Sequence, residues 1–188
     1  MRIVGGKHKG RVLNAPTGRD TRPTSDRTRE SVFNILAHGI EGFELDEVSV
    51  VDVFAGTGAM GLEALSRGAK HATFIDISRG AVDLIKKNAA MLNEWRHATL
   101  LKIDVQHFAP PPRAAKAPCG LAFLDAPYEK ELTLPALLGL ANKGWLQSGS
   151  IVVAELAAKE ELEVPRKYEL LNERSYGAAR VLFLKLRD

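Results

Sequence analysis

Apolar residues in this chain gather in short runs that end at turn residues, and the stretches between the runs carry helical spacing. The run Val48 to Phe54 breaks into glycines and continues as the helix-like Leu62 to Gly68. His71 to Ile75 is a second strand-like run, followed by Ser78 to Asn93 with helical period. Ala98 to Ile103, Gly120 to Leu124 and Ser150 to Glu155 read as further strands, and Glu131 to Lys143 as a helix. Tyr168 to Ser175 and Ala178 to Leu186 form an antiparallel pair around Gly177. Strands alternating with helices predict an α/β architecture, here a seven-stranded, mostly parallel sheet with an antiparallel C-terminal strand pair. Phe108 to Pro118, with its three consecutive prolines, reads as a surface loop, because the strand after it continues the same sheet pattern.

Upstream of this alternation the pattern changes. Arg2 to Val4, then Gly5 and Gly6, then Arg11 to Leu13 predict a β-hairpin, an arm on the main domain with basic residues around its turn. Pro23 precedes a polar turn in which Ser25 or Asp26 can cap a helix presenting Val32, Phe33 and Leu36 on one face. The expected division is therefore an N-terminal basic hairpin extension over residues 1–22 and one domain over 23–188.

The first candidate chemistry lies in DVFAGTGAMG, Asp52 to Gly61. Strand, glycine turn and helix is the context a nucleotide-binding Gly56-x-Gly58-x-x-Gly61 requires. The turn must reverse tightly with positive φ, and a β-carbon would hold a ligand away from the backbone. Asp76 stands 20 positions after Gly56 at the end of the next strand, where a carboxylate can accept hydrogen bonds from ribose hydroxyls. A dinucleotide would bring a pyrophosphate, and Asp52 would be poorly placed beside it. The same carboxylate suits a cationic ligand, and S-adenosylmethionine carries an ammonium and a sulfonium without phosphate. The run DVFAGTG resembles motif I of the class I S-adenosylmethionine-dependent methyltransferases. The structural alternatives are a loop-capping role for Asp52 and a helix N-cap for Asp76, with Ser78 competing for that cap.

A second motif, Asp125-Ala126-Pro127-Tyr128, ends the run Gly120 to Leu124, at the carboxyl end of a strand where open α/β sheets bind ligands. It resembles the Asp/Asn-Pro-Pro-Tyr/Phe motif of methyltransferases that modify exocyclic amines. Such an amine is a poor nucleophile, because its lone pair is delocalised into the ring. Hydrogen bonds from it to the Asp125 carboxylate and the Ala126 carbonyl would localise that pair, and Tyr128 would stack on the base. Ala126 stands where the family has proline, which loosens the turn and leaves the carbonyl in place. The alternative is a Pro-Tyr loop with Tyr128 packed as core.

Composition and charge narrow the setting. At 188 residues the chain suits one domain with no separate substrate domain. Its single cysteine, Cys119, excludes an internal disulfide and a cysteine zinc cluster, and it reads as an inert thiol. His8, His38, His71, His97 and His107 show no ligand spacing, so no metal is expected. The N-terminus MRIVGGKHKG lacks the apolar core of a signal peptide, and no run approaches about 18 apolar residues, so a cytoplasmic chain without a membrane span is expected. Residues 1–30 hold eight basic against three acidic side chains, +5, whereas the other 158 hold 18 against 20, −2, giving the net +3. Lys7, Lys9, Arg11, Arg22, Thr24, Arg27 and Arg29 are therefore candidate contacts to an RNA backbone. The alternative is a solvated basic surface, with Arg27 and Glu30 as a surface pair.

RIVGGKHKGR, RPTSDRTRES, DVFAGTGAMGLEALSRGA and LDAPY occur here in the order found in the RsmD family of bacterial small-subunit ribosomal RNA guanine methyltransferases, which the chain resembles from Arg2 to its C-terminus. The resemblance implies a Rossmann-like class I methyltransferase fold. It implies methyl transfer from S-adenosylmethionine to the exocyclic amine of a guanine, by a monomer acting on ribosomal RNA in assembled or assembling small subunits. The implied cofactor residues are Asp52, Phe54, Ala55, Gly56, Thr57, Gly58, Gly61, Asp76, Ile77 and Asp104, the last at a strand end where similar enzymes contact the adenine amine. Asp104 could equally cap its own loop. Two other readings stay open. One is a DNA adenine amino-methyltransferase, which usually needs a recognition insert absent from so short a chain. The other is a non-catalytic assembly factor with a relic pocket, against which the intact Asp52, Asp76 and Asp125 argue.

Overall fold

The computed structural model describes residues 1–16, 25–127 and 131–188. Its seven strands are β1 (Ser49–Val53), β2 (His71–Asp76), β3 (Ala98–Lys102), β4 (Cys119–Asp125), β5 (Leu146–Ala157), β6 (Tyr168–Tyr176) and β7 (Ala179–Leu186). They lie in the order β3-β2-β1-β4-β5-β7-β6. Strands β1 to β5 are parallel, whereas β7 runs antiparallel to both β5 and β6. Successive parallel strands move outward from β1 in one direction and from β4 in the other. The crevice above the β1–β4 boundary is thus the topological switch point, where such sheets bind ligands.

Helices α1 (Asp26–His38), α2 (Ala59–Ser66) and α3 (Arg79–Met91) cover one face, and α4 (Thr133–Asn142) the other. The Ser25 hydroxyl caps α1 by accepting from the Thr28 amide at 3.0 Å, so of the two candidate caps Ser25 is used. On α1 the buried residues are Arg29, Val32, Phe33 and Leu36, one stripe at helical spacing. Trp145 and Phe108 pack edge to face under α4, and the Trp145 indole donates to the Ala109 carbonyl. The proline-rich loop is held down too, because Thr73 and Thr99 donate to the carbonyls of Ala115 and Ala114. Burial pushes the Cys119 thiol up to about 12, as an inert core cysteine requires. No helix among the described residues is long and apolar enough to cross a membrane.

The N-terminal segment folds back as a short antiparallel hairpin. Arg2 bridges Val12, and the Ile3, Leu13 and Gly10 amides donate across it to the carbonyls of Arg11, Met1 and Ile3, with a 3₁₀ turn at Gly6–His8. The ladder stops after Ile3 because of competition for backbone donors. The amides of Val4 and Gly5 donate to the buried Glu63 carboxylate of α2, each at 2.8 Å, and are lost to a ladder. Gly6 comes so close to α2 that a β-carbon there would lie 1.9 Å from the Ser66 carbonyl oxygen. Ile3 and Leu13 are buried in the main core, so this segment is packed onto the sheet layer and is no free arm.

Candidate active site

Three carboxylates converge at the switch point because the strand register aims them there. Asp52 on β1 lies opposite Phe74 of β2 and Phe123 of β4, and Asp76 and Asp125 each stand two residues further on. Side chains two residues apart share a sheet face, so all three project to the face covered by α2. Asp52 is only 3% exposed, and its Oδ2 accepts from the Gly61 amide at 2.9 Å. Burial pushes its carboxyl up to about 8 against the pull of that amide, and the charges of Asp125 and Asp76 add to the rise.

The glycine turn divides its work. Gly56 has φ 54°, and a β-carbon there would meet nothing nearer than the Phe54 carbonyl oxygen at 3.9 Å, so this side of the turn is open. Gly58 has φ 77°, but a β-carbon on it would come within 3.1–3.3 Å of Ile85 and Phe74. Gly61, inside α2, would bring one to 2.4 Å from the Phe74 ring. Positive φ holds at Gly56 and Gly58 as the motif requires, while Gly58 and Gly61 let α2 and α3 pack on β2. Ala55 is buried in the core, and the Thr57 carbonyl accepts from Asn88 of α3 at 3.0 Å.

Asp76 ties the turn to α3. Its Oδ2 accepts from the Gly56 amide at 2.9 Å and its Oδ1 from the Ser78 amide at 2.8 Å, while the Ser78 hydroxyl is the α3 cap. Each oxygen keeps a second lone pair for a ligand hydroxyl. Asp104 caps its own loop through the Gln106 amide at 3.0 Å and meets His107 at 3.2 Å. Asp76 and Asp104 nevertheless line one cleft of about 420 Å³ with Phe54, Ile77 and Pro127. Ile77 is 63% exposed, an apolar surface suited to the flat face of a base. Ile103, Val105, Gln106 and Leu132 also line the cleft and were not anticipated. Three of them flank Asp104, and an apolar residue beside a strand-end carboxylate was the signal available. Tyr128 lies outside the described residues.

Of the basic candidates, Arg22 and Thr24 lie outside the described residues, and Lys9, Arg11 and Arg27 are exposed. Lys7 reaches Glu94 at 2.7 Å. Arg29 is a correction: it is 0% exposed, donates to the Arg2 carbonyl and to Asp26 Oδ1 (2.8 Å), and faces Glu63 at 3.5 Å. A guanidinium sealed beneath the N-terminal segment has no path to a phosphate. Among the described residues no cluster of His, Cys, Asp and Glu could hold a metal ion.

A mostly parallel seven-stranded sheet with this strand order and an antiparallel final pair, acidic at the ends of β1, β2 and β4, is the fold of a class I methyltransferase. The chain belongs to the family described as Conserved hypothetical protein 95, whose model matches residues 1–185. Among its relatives is the Ribosomal RNA small subunit methyltransferase D of Escherichia coli, 35% identical over 179 residues, 94% of this chain and 85% of that one. YlbH of Bacillus subtilis, described provisionally as an rRNA methyltransferase, is 36% identical over 191 residues and all of both chains. The solved Escherichia coli chain yhhF, described provisionally as a methyltransferase, superposes with a TM-score of 0.81 at 30% identity, over 100% of this chain and 98% of that one. The resemblance read from the motifs is thereby borne out.

Proposed function

We propose that this chain transfers the methyl group of S-adenosylmethionine to the exocyclic amine of a guanine in small-subunit ribosomal RNA, as a cytoplasmic monomer acting on assembled or assembling subunits. One observation carries the reading: Asp125, the first residue of the amine motif, stands beside Asp52 at the switch point, while Pro127 of the same motif lines the cleft with Asp76 and Asp104. The site residues fit the cofactor on chemical grounds. Asp76 and Asp125 crowd Asp52, whose ionisation a cationic group would favour, Gly56 leaves open space, and Ile77 offers an apolar wall. In the proposed roles Asp52 faces the ammonium, Asp76 the ribose hydroxyls, Ile77 the adenine face and Asp104 the adenine amine, with Phe54 and the Ala55–Gly58 backbone closing the turn side. The cofactor supplies a methyl carbon made electrophilic by its sulfonium.

Asp125 and the Ala126 carbonyl accept hydrogen bonds from the target amine, which localises the nitrogen lone pair for attack. When bound, the cofactor would supply the methyl carbon and keep the S–C electron pair on sulfur, and the methylated nitrogen would shed its proton past Asp125 to water. Asp125 therefore acts as acceptor and orienter and needs no strong basicity. Pro127 stiffens the turn and Tyr128 stacks on the flipped base.

Two predictions concern the cofactor. Gly56→Val, which fills the open side of the turn and strains its backbone at φ 54°, weakens S-adenosylmethionine binding at least tenfold, about 1.4 kcal/mol, by calorimetry on the folded variant. Gly58→Val strikes Ile85 and Phe74, so its main effect is a lower Tm; equal affinities in the two variants would reverse the division of roles. The second concerns protons. Free protein holds a proton on Asp52 below about pH 8, and a bound cation favours the ionised form. Binding at pH 7 therefore releases close to one proton, and affinity rises with pH up to about 8. Calorimetry in buffers of different ionisation heat reads the proton count directly, and a count of zero contradicts the role of Asp52.

For the RNA, Lys9 and Arg11 are the exposed phosphate contacts of the N-terminal segment. Changing both to Ala flattens the slope of log affinity against log salt by up to about 2 units, at roughly 0.7 to 0.9 per contact. An unchanged slope would leave them solvated. The reading as a whole is tested by offering methyl-labelled S-adenosylmethionine with undermethylated small subunits, naked ribosomal RNA and duplex DNA in parallel. Label on a ribosomal substrate supports it, and label on DNA alone overturns it.

A further inference from the structure

At the far end of α3 from the cleft, the chain exposes an aromatic side chain that packing does not explain. Trp145 is fully buried with its indole N–H satisfied, whereas Trp95, in the 3₁₀ helix Trp95–His97 between α3 and β3, is 54% exposed. Arg96 lies over its ring at 4.8 Å. Met91, four residues before it at the end of α3, and Val12, next to Arg11, are 38% and 67% exposed. Arg11 links the N-terminal segment to this end of α3 by donating to the Met91 carbonyl at 3.2 Å.

The surroundings are basic, and the nearby acid is already consumed. Glu94, next in sequence to Trp95, is buried and accepts from Lys7 at 2.7 Å, His8 at 2.6 Å and His97 at 2.9 Å. Burial works against its charge, but those hydrogen bonds outweigh it and hold the carboxyl below the usual range. Its negative charge is therefore turned inward, leaving Lys9, Arg11 and Arg96 at the surface. An aromatic face among exposed guanidinium and ammonium groups is the chemistry of single-stranded nucleic acid binding, in which bases stack and cations follow the backbone.

We infer that Trp95, Met91 and Val12, with Arg96, Arg11 and Lys9, bind an unpaired nucleotide of the RNA substrate, its base stacked on the indole and its phosphates on the basic side chains. This second contact rests on the RNA reading above and extends it. Helix α3, 13 residues or about 20 Å long, runs from Asp76 at the cleft to this patch, so the site extends the RNA surface beyond the cofactor end of the cleft. The N-terminal segment packs along the last turn of α3 and just past it. Asn14 bonds Asn88, which also donates to the Thr57 carbonyl of the glycine turn, and Lys7 and His8 bond Glu94.

The test uses a short single-stranded oligoribonucleotide and, separately, undermethylated small subunits. Trp95→Ala weakens oligoribonucleotide binding about five- to a hundredfold, raises KM for the subunits in proportion, and leaves S-adenosylmethionine affinity unchanged. Trp95→Phe, which keeps an aromatic face, restores most of the loss. In the wild type the oligoribonucleotide also shields tryptophan emission from iodide, and in Trp95→Ala it does not. Wild-type oligoribonucleotide affinity in Trp95→Ala overturns the inference, as does a Phe variant no better than Ala. A raised KM for subunits without weaker oligoribonucleotide binding also overturns it, and assigns the patch to a ribosomal protein. If the wild type methylates no RNA yet binds the oligoribonucleotide through Trp95, the proposed reaction fails and this contact stands.

Discussion

Asp125→Ala lowers single-turnover methyl transfer by about 100-fold or more, roughly 2.7 kcal/mol of barrier, while calorimetric affinity for S-adenosylmethionine stays close to wild type. The separation follows from position. Asp125 ends β4 two residues beyond the level of Asp52, on the acceptor side of the switch point, and is not among the residues that line the Asp76–Asp104 end of the cleft. Truncation leaves the target amine with one acceptor fewer, so its lone pair stays delocalised. Equal losses in affinity and rate would instead move Asp125 into the cofactor site.

Arg29→Ala destabilises the fold by about 3–5 kcal/mol, the cost of stranding a buried charge partner. The removed guanidinium bridges the Arg2 carbonyl, Asp26 and Glu63, and Glu63 also holds the amides of Val4 and Gly5. For a chain of this length that is a fall in Tm of about 6–20 °C. Arg29→Lys recovers only part of it, because a point charge cannot span three acceptors. Native thermal stability with weakened RNA binding in Arg29→Ala would return this residue to the RNA surface.

Arg29 also shows what kind of information the chain hides. Its distance from Val32, Phe33 and Leu36 puts it on the stripe that faces the core, so its burial was legible from helical spacing alone. A basic segment invited an electrostatic reading, and net charge does not report which cations already have acids beneath them. The strands, helices and switch-point carboxylates were legible because each rests on a local period or on a residue at a strand end. The N-terminal hairpin was legible too, but not its short ladder, which ends where Val4 and Gly5 turn to Glu63, an acceptor 59 and 58 residues away. The glycine turn was half legible: positive φ at Gly56 and Gly58 follows from the motif, but which one faces a ligand depends on Ile85 and Phe74.

The central claim is the identity of the methylated atom. Undermethylated small subunits are incubated with the protein and methyl-labelled S-adenosylmethionine, and the RNA is digested to nucleosides and resolved by liquid chromatography with mass detection. The account predicts label in a guanosine methylated on its exocyclic amine, lost in Asp125→Ala and present at one position of the small-subunit RNA. Label in a methylated adenosine, or on a ring nitrogen or ribose oxygen, would contradict it.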